Sequence, residues 1–234
     1  MTGFSQLIDE CLRSLASRSD VFVLQVGAAD GIQGDLVHSF LTTASCSALL
    51  LEPVPELYER LLQNYAEYRH IRCAQLAIGR QDGELTLFRI RDCTGLPWWA
   101  EQLASIHLRV IKSHSELIPE LRDRIKAEKV PCVTIDTLCA RFNIGRIDLA
   151  AIDTEGFDLE IIHQILDIGQ RPAILLFEHK HVGENDYEKL AARLRADGYT
   201  LHADDSDTLC QSHSFRQNCS TTVAMDSEMP ARGP

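Results

Sequence analysis

The chain has 234 residues, of which 45% are hydrophobic and 24% are charged, the composition of a soluble globular protein with room for one domain and its insertions. Its formal net charge of −11 argues against nucleic acid as a partner, because phosphate backbones are bound by clustered lysines and arginines. No apolar run approaches the ~20 residues that span a bilayer, so we expect no membrane partner either.

Apolar patterns divide the chain into elements. The first 20 residues have helical spacing and no signal-peptide features, so they predict an amphipathic capping helix over 1–20. From 21 to 210, strand-length apolar runs alternate with helical patterns, which is typical of βαβ units. The predicted strands are 21–28, 47–53, 71–79, 147–153, 171–179 and 199–204, and the predicted helices are 34–44, 55–68, 157–166 and 185–198. We expect an α/β, Rossmann-like domain with a doubly wound, mostly parallel sheet and helices on both faces.

One region interrupts this alternation. A hairpin strand over 83–90 precedes residues 91–129, which contain both tryptophans and predict an insertion or lid between core strands. A further strand then leads from residue 130 into a short helix. Residues 211–234 lack sustained periodicity and predict a flexible C-terminal tail.

The eight cysteines form no CxxC pair, and several of them lie inside apolar runs. This usage is typical of buried free thiols rather than of a zinc site or a disulfide framework. It favours a cytoplasmic location.

The segment Val21–Asp35 reads VFVLQVGAADGIQGD, an apolar strand that stops at a glycine and leads into an amphipathic segment. Doubly wound sheets bind nucleotide-like ligands at such a turn, because glycine lets ligand atoms approach the backbone. The dinucleotide fingerprint GxGxxG is absent, since Ala29 and Ile32 stand at two of its glycine positions. An NAD-dependent oxidoreductase is therefore disfavoured.

Counted from Gln25, the turn QVGAADG is close to the acidic-x-G-x-G-x-G turn of methyltransferases that use S-adenosylmethionine. The candidate donor-binding residues of the turn are Gln25, Gly27, Ala28, Asp30 and Gly31. A βα turn that merely needs small residues is the alternative interpretation.

The second and third strands add candidate nucleoside contacts. Glu52, followed by Pro53, ends the second strand some 20 residues beyond the turn, where an acid can accept hydrogen bonds from both ribose hydroxyls of an adenosine. Ala77 and Ile78 could flank an adenine ring, although core packing explains that pair equally well. The glycine turn and Glu52 together favour a nucleoside site.

The fourth and fifth strands end in titratable residues. Asp153 and Glu155 follow one apolar run, and Glu178, His179 and His181 follow the other. Ligands bind beside these ends in open parallel sheets, which makes the carboxylates candidate functional groups, with Asp153 and Glu155 as candidate donor-binding residues. The alternative is that a charge after a buried strand only marks the return to solvent.

These segments, in this order, resemble the FkbM-type methyltransferases, a family of S-adenosylmethionine-dependent enzymes with a Rossmann-like fold. The match runs from about residue 21 to residue 209. It is carried by QVGAADGIQGD, LLLEPVPELYERL, QLAIGRQDGELTLF, VPCVTIDTL, IDLAAIDTEGFDLEII and LLFEH. The chain departs from the frequent Gly-Ala-Asn-x-Gly of the family at Ala29 and Asp30.

The resemblance implies methyl transfer from S-adenosylmethionine to a hydroxyl oxygen on a sugar, glycan or polyketide-like small molecule. Acceptor specificity is then expected in the insertion, which offers Trp98, Trp99, Ser105 and His107. The two tryptophans can form an apolar or sugar-stacking wall, or can plug the core. Neither the acceptor nor the oligomeric state follows from the sequence.

Methyl transfer to an alcohol requires alignment of the reactants and removal of the hydroxyl proton. The candidate catalytic residues are Asp153, Glu178 and His179. Asp153 could instead bind the amino group of the donor, and Asp153 with Glu178 could hold a divalent cation such as magnesium. The main prediction contains no metal. A non-catalytic nucleoside-binding module, or a degenerate methyltransferase, is the alternative function.

Overall fold

The structure is a computed structural model that describes residues 3–217. The helices in this range are α1 Gly3–Ala16, α2 His38–Thr43, α3 Pro55–Asn64, α4 Leu108–Ser113, α5 Leu121–Arg124, α6 Ile135–Phe142, α7 Asp158–Asp167 and α8 Glu184–Ala196. The strands are β1 Val21–Val26, β2 Cys46–Leu51, β3 Ile71–Ala74, β4 Ala77–Ile78, β5 Gly83–Ile90, β6 Ala104–Ser105, β7 Ile125–Val133, β8 Leu149–Ile152, β9 Ile174–Glu178, β10 Tyr199–Ala203 and β11 Asp207–Ser212.

Seven strands form the central sheet in the order β10-β11-β9-β8-β1-β2-β3. The strands from β9 to β3 are parallel, whereas β11 is antiparallel to both β9 and β10. The predicted doubly wound, mostly parallel sheet is therefore confirmed. The chain leaves β1 towards β3 and later returns to β8 on the other side of β1. The crevice beside the carboxyl ends of β1 and β8 is thus the topological switch point, where sheets of this kind bind ligands.

The central strands are apolar throughout because they fill two cores. Leu24 and Leu49 pack with α6, α7 and α8 on one face of the sheet. Val23 and Leu50 pack with α1 and α2 on the other face. Successive side chains of a strand point to opposite faces, so a sheet covered by helices on both sides needs near-continuous apolar runs. Each leucine buried in this way stabilises the fold by roughly 1.5–3 kcal/mol.

A second sheet has four strands in the order β4-β7-β5-β6 and packs on α3 through Leu57, Leu87 and Val130. Its existence corrects two expectations. The predicted strand 71–79 is two strands, since β3 is the edge of the central sheet and β4 pairs with β7 in the second sheet. Residues 125–129 belong to β7 rather than to an insertion. Their polar pattern concealed the strand because part of this sheet faces solvent.

The two ends of the domain also differ from the sequence prediction. The helix expected over 34–44 is reduced to α2, because residues 27–37 are used by the turn after β1. Strand β11 was not predicted. It ends at Ser212, and Phe215 beyond it is 3% exposed, so the first residues of the expected tail belong to the folded body. The remainder of that tail, 218–234, lies outside the described residues. Within 3–217, no helix has the length and apolar character needed to cross a membrane.

Candidate active site

Four strand ends meet at the carboxyl edge of the central sheet. Val26 of β1 is in register with Leu51 of β2 and with Ile152 of β8, and Ile152 is in register with Phe177 of β9. The residues that come next along each strand or turn therefore form a row across the edge. They are Gly27, Glu52, Asp153 and Glu178.

Gly27 brings the β1 turn against the β8 turn. Its φ is +80°, and a Cβ at this position would overlap the carbonyl oxygen of Asp153. Any larger residue would force the two turns apart. The backbone amides of Gly27 and Ala28 both donate to the carbonyl of Leu51 at 3.0 Å, which ties the same turn to β2. Three strand ends are thus held together by main-chain atoms.

Glu52 is 4% exposed and anchors the turn through its carboxylate. Oε2 accepts a hydrogen bond from the amide of Ala29 at 2.8 Å, and Oε1 accepts one from the amide of Val54 at 2.8 Å. Burial raises the pKa of Glu52 to about 7, and the two amides and Arg89 offset only part of that rise. Since each carboxylate oxygen has two lone pairs, both oxygens can still accept a bond from a ligand.

A groove runs along this edge and has two halves that share Val26, Gly27, Ala29, Gln102 and Asp153. The apolar half contains Glu52 among mostly apolar side chains. It is also lined by Pro53, Leu76, Ala77, Ile78, Leu87, Ala104, Ile106 and Phe157. Ala77 and Ile78 form β4, so the second sheet supplies this wall. An apolar slot with the Glu52 carboxylate at its side matches the needs of an adenosine, a flat base joined to a diol.

The polar half of the groove contains Gln25, Ala28, Asp35 and Asp207. The side-chain amide of Gln25 donates to Asp35 at 3.0 Å, while its buried Oε1 has no hydrogen-bond partner among the described residues. Burial raises the pKa of Asp35, and the bond from Gln25 opposes that rise. Because a buried polar atom without a partner is costly, Gln25 Oε1 is suited to accept a hydrogen bond from a ligand.

Asp153 lies on the floor between the two halves and is open to the groove. Its pKa is raised well above the usual value, first because the surrounding protein displaces water and then because Glu155 and Asp158 carry like charge. Asp158 was not predicted from the sequence. It is fully buried and accepts bonds from the amides of Thr154 and Gly156, which shapes the β8 turn.

Glu155, Glu178 and His181 form a compact group beside Asp153. His181 Nε2 lies 2.9 Å from Glu155 Oε2 and 3.9 Å from Glu178 Oε1. Burial and the neighbouring Asp153 and Glu155 raise the pKa of Glu178 to about 9. Glu155 has a φ of +55°, which turns the chain sharply before α7.

His179, which the sequence predicts to be catalytic, does not join this group. Its Nδ1 lies 3.0 Å from Thr208 Oγ1, and its ring packs on Tyr187 with centroids 4.8 Å apart. Burial lowers its pKa. The neighbour two residues later, His181, takes the position expected for His179.

Asp30 and Gly31 were predicted to contact the donor, but they line neither half of the groove. Asp30 accepts hydrogen bonds from the amides of Ile32 and Gln33 at 3.0 Å, so it shapes the loop. A Cβ on Gly31 would collide with Tyr65, because α3 packs closely over this position. We therefore assign both residues to the structure of the turn.

The insertion closes the groove, although not through its tryptophans. Trp98 is 58% exposed, and Trp99 packs on His114 with ring centroids 5.6 Å apart. Neither tryptophan lines the groove. Gln102 contributes to both halves instead. This role could not be predicted, since a single polar residue in an irregular segment has no periodicity.

Ser105 and His107 of the insertion lie next to the β8 turn. Ser105 donates to the carbonyl of Glu155 at 2.7 Å and accepts from the amide of His107 at 2.9 Å. Burial lowers the pKa of His107. The hydroxyl of Ser105 therefore fastens the insertion to the row of strand ends, and His107 lines a separate shallow cavity with Gly156 and Val182.

A Rossmann-like sheet with its groove at the switch point and an acid at the end of the second strand is the architecture of the class I methyltransferases. Residues 25–201 match the family described as the Methyltransferase FkbM domain, and the chain belongs to this family. The protein is accordingly a methyltransferase, as the sequence resemblance predicted. No curated protein matches the sequence at a significant level.

Two solved structures illustrate the similarity of fold. The precorrin-6y C5,15-methyltransferase of Geobacter metallireducens GS-15 is 10% identical, with a TM-score of 0.47 over 88% of this chain and 89% of that chain. The ribosomal protein L11 methylase of Lactobacillus delbrueckii subsp. bulgaricus is 13% identical, with a TM-score of 0.42 over 89% and 79% of the two chains. The family assignment rests on the sequence match and not on these distant likenesses.

Proposed function

We propose that this protein transfers the methyl group of S-adenosylmethionine to a hydroxyl oxygen of a sugar, glycan or polyketide-like small molecule. The observation that supports the donor most strongly is the groove, in which an apolar slot beside the Glu52 carboxylate continues past Gly27 into a polar half. Membership of the FkbM methyltransferase family supports methyl transfer.

The residues of the groove fit the two ends of the donor. The free lone pairs of Glu52 accept hydrogen bonds from the ribose hydroxyls, and the adenine lies in the apolar half between Ile78 and Phe157. The unpartnered Oε1 of Gln25 accepts a hydrogen bond from the ammonium of the amino-acid end. Gly27 lines both halves of the groove, so its backbone lies beside the chain that joins these ends.

Bound S-adenosylmethionine supplies an electrophilic methyl carbon. The residues of the protein have to hold the acceptor hydroxyl in line with that carbon and to take up its proton. Asp153 is the first candidate for the proton acceptor, because its carboxyl group is open to both halves of the groove. Glu178 and His181 lie behind it.

A small molecule or a glycan is the acceptor class that we favour over nucleic acid. The chain carries 34 acidic and 23 basic residues, and the groove floor adds the carboxyl groups of Asp153, Glu155 and Asp207. A phosphate backbone would be repelled from such a surface, whereas a polyhydroxylated molecule would find hydrogen-bond acceptors.

Calorimetry with S-adenosylhomocysteine, followed by mass spectrometry of methyl transfer to sugars, glycosides and polyketide lactones, tests the proposal. We expect one binding site per chain and at least one methylated alcohol. Asp153→Asn should lower turnover by about a hundredfold or more. The exposed Asp136→Asn on α6 is the matched control and should leave turnover unchanged. Absence of binding at high protein concentration would overturn the proposal.

A nucleoside-binding module without catalysis is the second candidate. It is favoured by Gln25, an amide where methyltransferases of this type carry an acid, and by Ala29, which adopts a φ of +48° where glycine is common. Binding of S-adenosylhomocysteine with no transfer to any acceptor, in wild type and Asp153→Asn alike, would support this candidate.

A further inference from the structure

We propose that Glu155, Glu178 and His181 bind a divalent first-row transition-metal ion beside the groove. One ligand atom from each residue, namely a carboxylate oxygen or an imidazole nitrogen, lies within 4.8 Å of the others. Ligands that share one ion at about 2.0–2.2 Å are roughly 3–3.5 Å apart. Small side-chain rotations therefore bring the three atoms to bonding distance.

The two carboxylates are incompletely satisfied. Among the described residues, buried Glu178 Oε2 has no hydrogen-bond donor, and buried Glu155 Oε2 has only the ring of His181 nearby, whose Nε2 lies 2.9 Å away without good hydrogen-bond geometry. The side chain of Glu178 is only 13% exposed. Buried carboxylate oxygens without donors are costly, and a cation is one of the few partners that satisfies several of them together.

The number of acidic side chains around the group also favours a bound cation. Asp153 adds a third carboxyl group, and in the described part of the chain no lysine or arginine comes within ion-pair distance of these three acids. The basic side chain of the described residues that comes within ion-pair distance is His181, which is 10% exposed. One imidazole cannot satisfy three carboxyl groups, whereas a divalent cation can be bound by several of them at once.

The surroundings of His181 hold its ring in place. The ring of His114 lies 5.5 Å from it, centroid to centroid, and its Nε2 lies 2.9 Å from Glu155 Oε2. A ligand that is fixed before the metal arrives loses little conformational freedom on binding.

The ligand set selects the kind of metal. Magnesium and calcium prefer oxygen ligands only, whereas an imidazole with two carboxylates suits manganese, iron, cobalt or zinc. The set differs from the Asp153 and Glu178 pair that the sequence left open for magnesium. Three protein ligands leave coordination positions free for water or for an acceptor oxygen.

The position of the site gives the ion a role that rests on the proposed O-methyl transfer. Glu155 lines the groove next to Asp153, so a metal held by Glu155 would face the reacting hydroxyl. A bound cation lowers the pKa of a coordinated hydroxyl group and lets Asp153 take its proton more readily. Metal binding itself does not depend on that role.

The test is a titration of the full-length, chelator-treated protein with Mn²⁺, in which electron paramagnetic resonance measures the free ion. We expect one Mn²⁺ per chain, and we expect Mg²⁺ to compete poorly. Glu178→Gln and His181→Gln should each weaken Mn²⁺ binding by about tenfold or more. His179→Gln is the matched control, because its ring lies in the same turn but faces Thr208, and it should bind as wild type does.

Two results would overturn the metal site: no Mn²⁺ binding by wild type at millimolar concentration, or equal binding by wild type, Glu178→Gln and His181→Gln. Circular dichroism of each variant shows whether a loss comes from unfolding, and the two substitutions at separate positions guard against that outcome. Calorimetry with S-adenosylhomocysteine on the same samples distinguishes a failure of the metal site from a failure of the proposed function. Donor binding without Mn²⁺ binding refutes the metal site alone, and the reverse result refutes the proposed function alone.

Discussion

Replacement of Glu52 by glutamine should weaken the binding of S-adenosylhomocysteine by about 10- to 150-fold at pH 8. The glutamine has the same shape, but it has one acceptor oxygen and no charge. The structure uses both carboxylate oxygens of Glu52 for the amides of Ala29 and Val54. In the variant, one backbone amide and one ribose hydroxyl therefore face the NH₂ group instead of an acceptor oxygen. Loss of one hydrogen bond to a charged group costs about 1.5–3 kcal/mol, which converts to that range of Kd.

The dependence on pH provides a second and sharper readout. Because burial raises the pKa of Glu52 to about 7, the ionised form that accepts from ribose is scarce at pH 6 and dominant at pH 8. Its fraction rises about tenfold between these values, so the affinity of wild type should rise about tenfold as well. In Glu52→Gln this rise should be absent.

Isothermal titration calorimetry at pH 6, 7 and 8 measures both effects. Glu59→Gln, an exposed acid on α3, is the matched control and should behave as wild type. If Glu52→Gln bound S-adenosylhomocysteine as tightly as wild type, with the same dependence on pH, Glu52 would not contact the ribose and the donor position proposed above would be incorrect.

Three further predictions follow from the same row of strand ends. Gly27→Ala should lower the free energy of unfolding, measured by urea denaturation, by about 2 kcal/mol or more, because Gly27 has a φ of +80° and an added Cβ would overlap the carbonyl of Asp153. Gly145 has open space around it, so Gly145→Ala should change the same quantity by no more than about 0.5 kcal/mol. In calorimetry, Gln25→Leu should weaken the binding of S-adenosylhomocysteine about tenfold but leave unchanged the binding of methylthioadenosine, which lacks the amino-acid end. Equal losses of affinity for the two ligands would contradict the role of Gln25. Glu52 and Asp158 have folded pKa values of about 7 and about 6, above their unfolded values, so the folded state holds protons that the unfolded state releases. The free energy of unfolding should therefore fall as pH rises from about 4 to about 7, by on the order of 3 kcal/mol from Glu52 alone. Unfolding curves at pH 5 and 8 that coincide would refute this.

The row of strand ends could be predicted from the sequence because it depends on register in a parallel sheet. Each apolar run stops where the strand reaches the edge, so Gly27, Glu52, Asp153 and Glu178 had to lie near one another once the sheet was parallel. Helix positions on both faces followed from the same continuous apolar runs.

The orientation of turns could not be predicted in this way. His179 and His181 follow the same strand, and only the path of the turn decides that the second one reaches Glu155. The second sheet was missed for a related reason. The run 71–79 is apolar throughout, and nothing in its pattern marks the residues at which the chain leaves one sheet for the other. Gln102 reaches the groove through an irregular segment, where spacing carries no information.

The contact between Gly27 and the carbonyl of Asp153 is made by backbone alone. The β1 turn, beside which we place the donor, and the turn that carries Asp153, the proposed proton acceptor, are consequently held at a distance that does not depend on the surrounding side chains. The walls contributed by the second sheet and the insertion can change in size and polarity without moving these two turns. Under the proposed function, a lineage of such proteins could exchange one acceptor for another while the line of attack on the methyl carbon stays where it was.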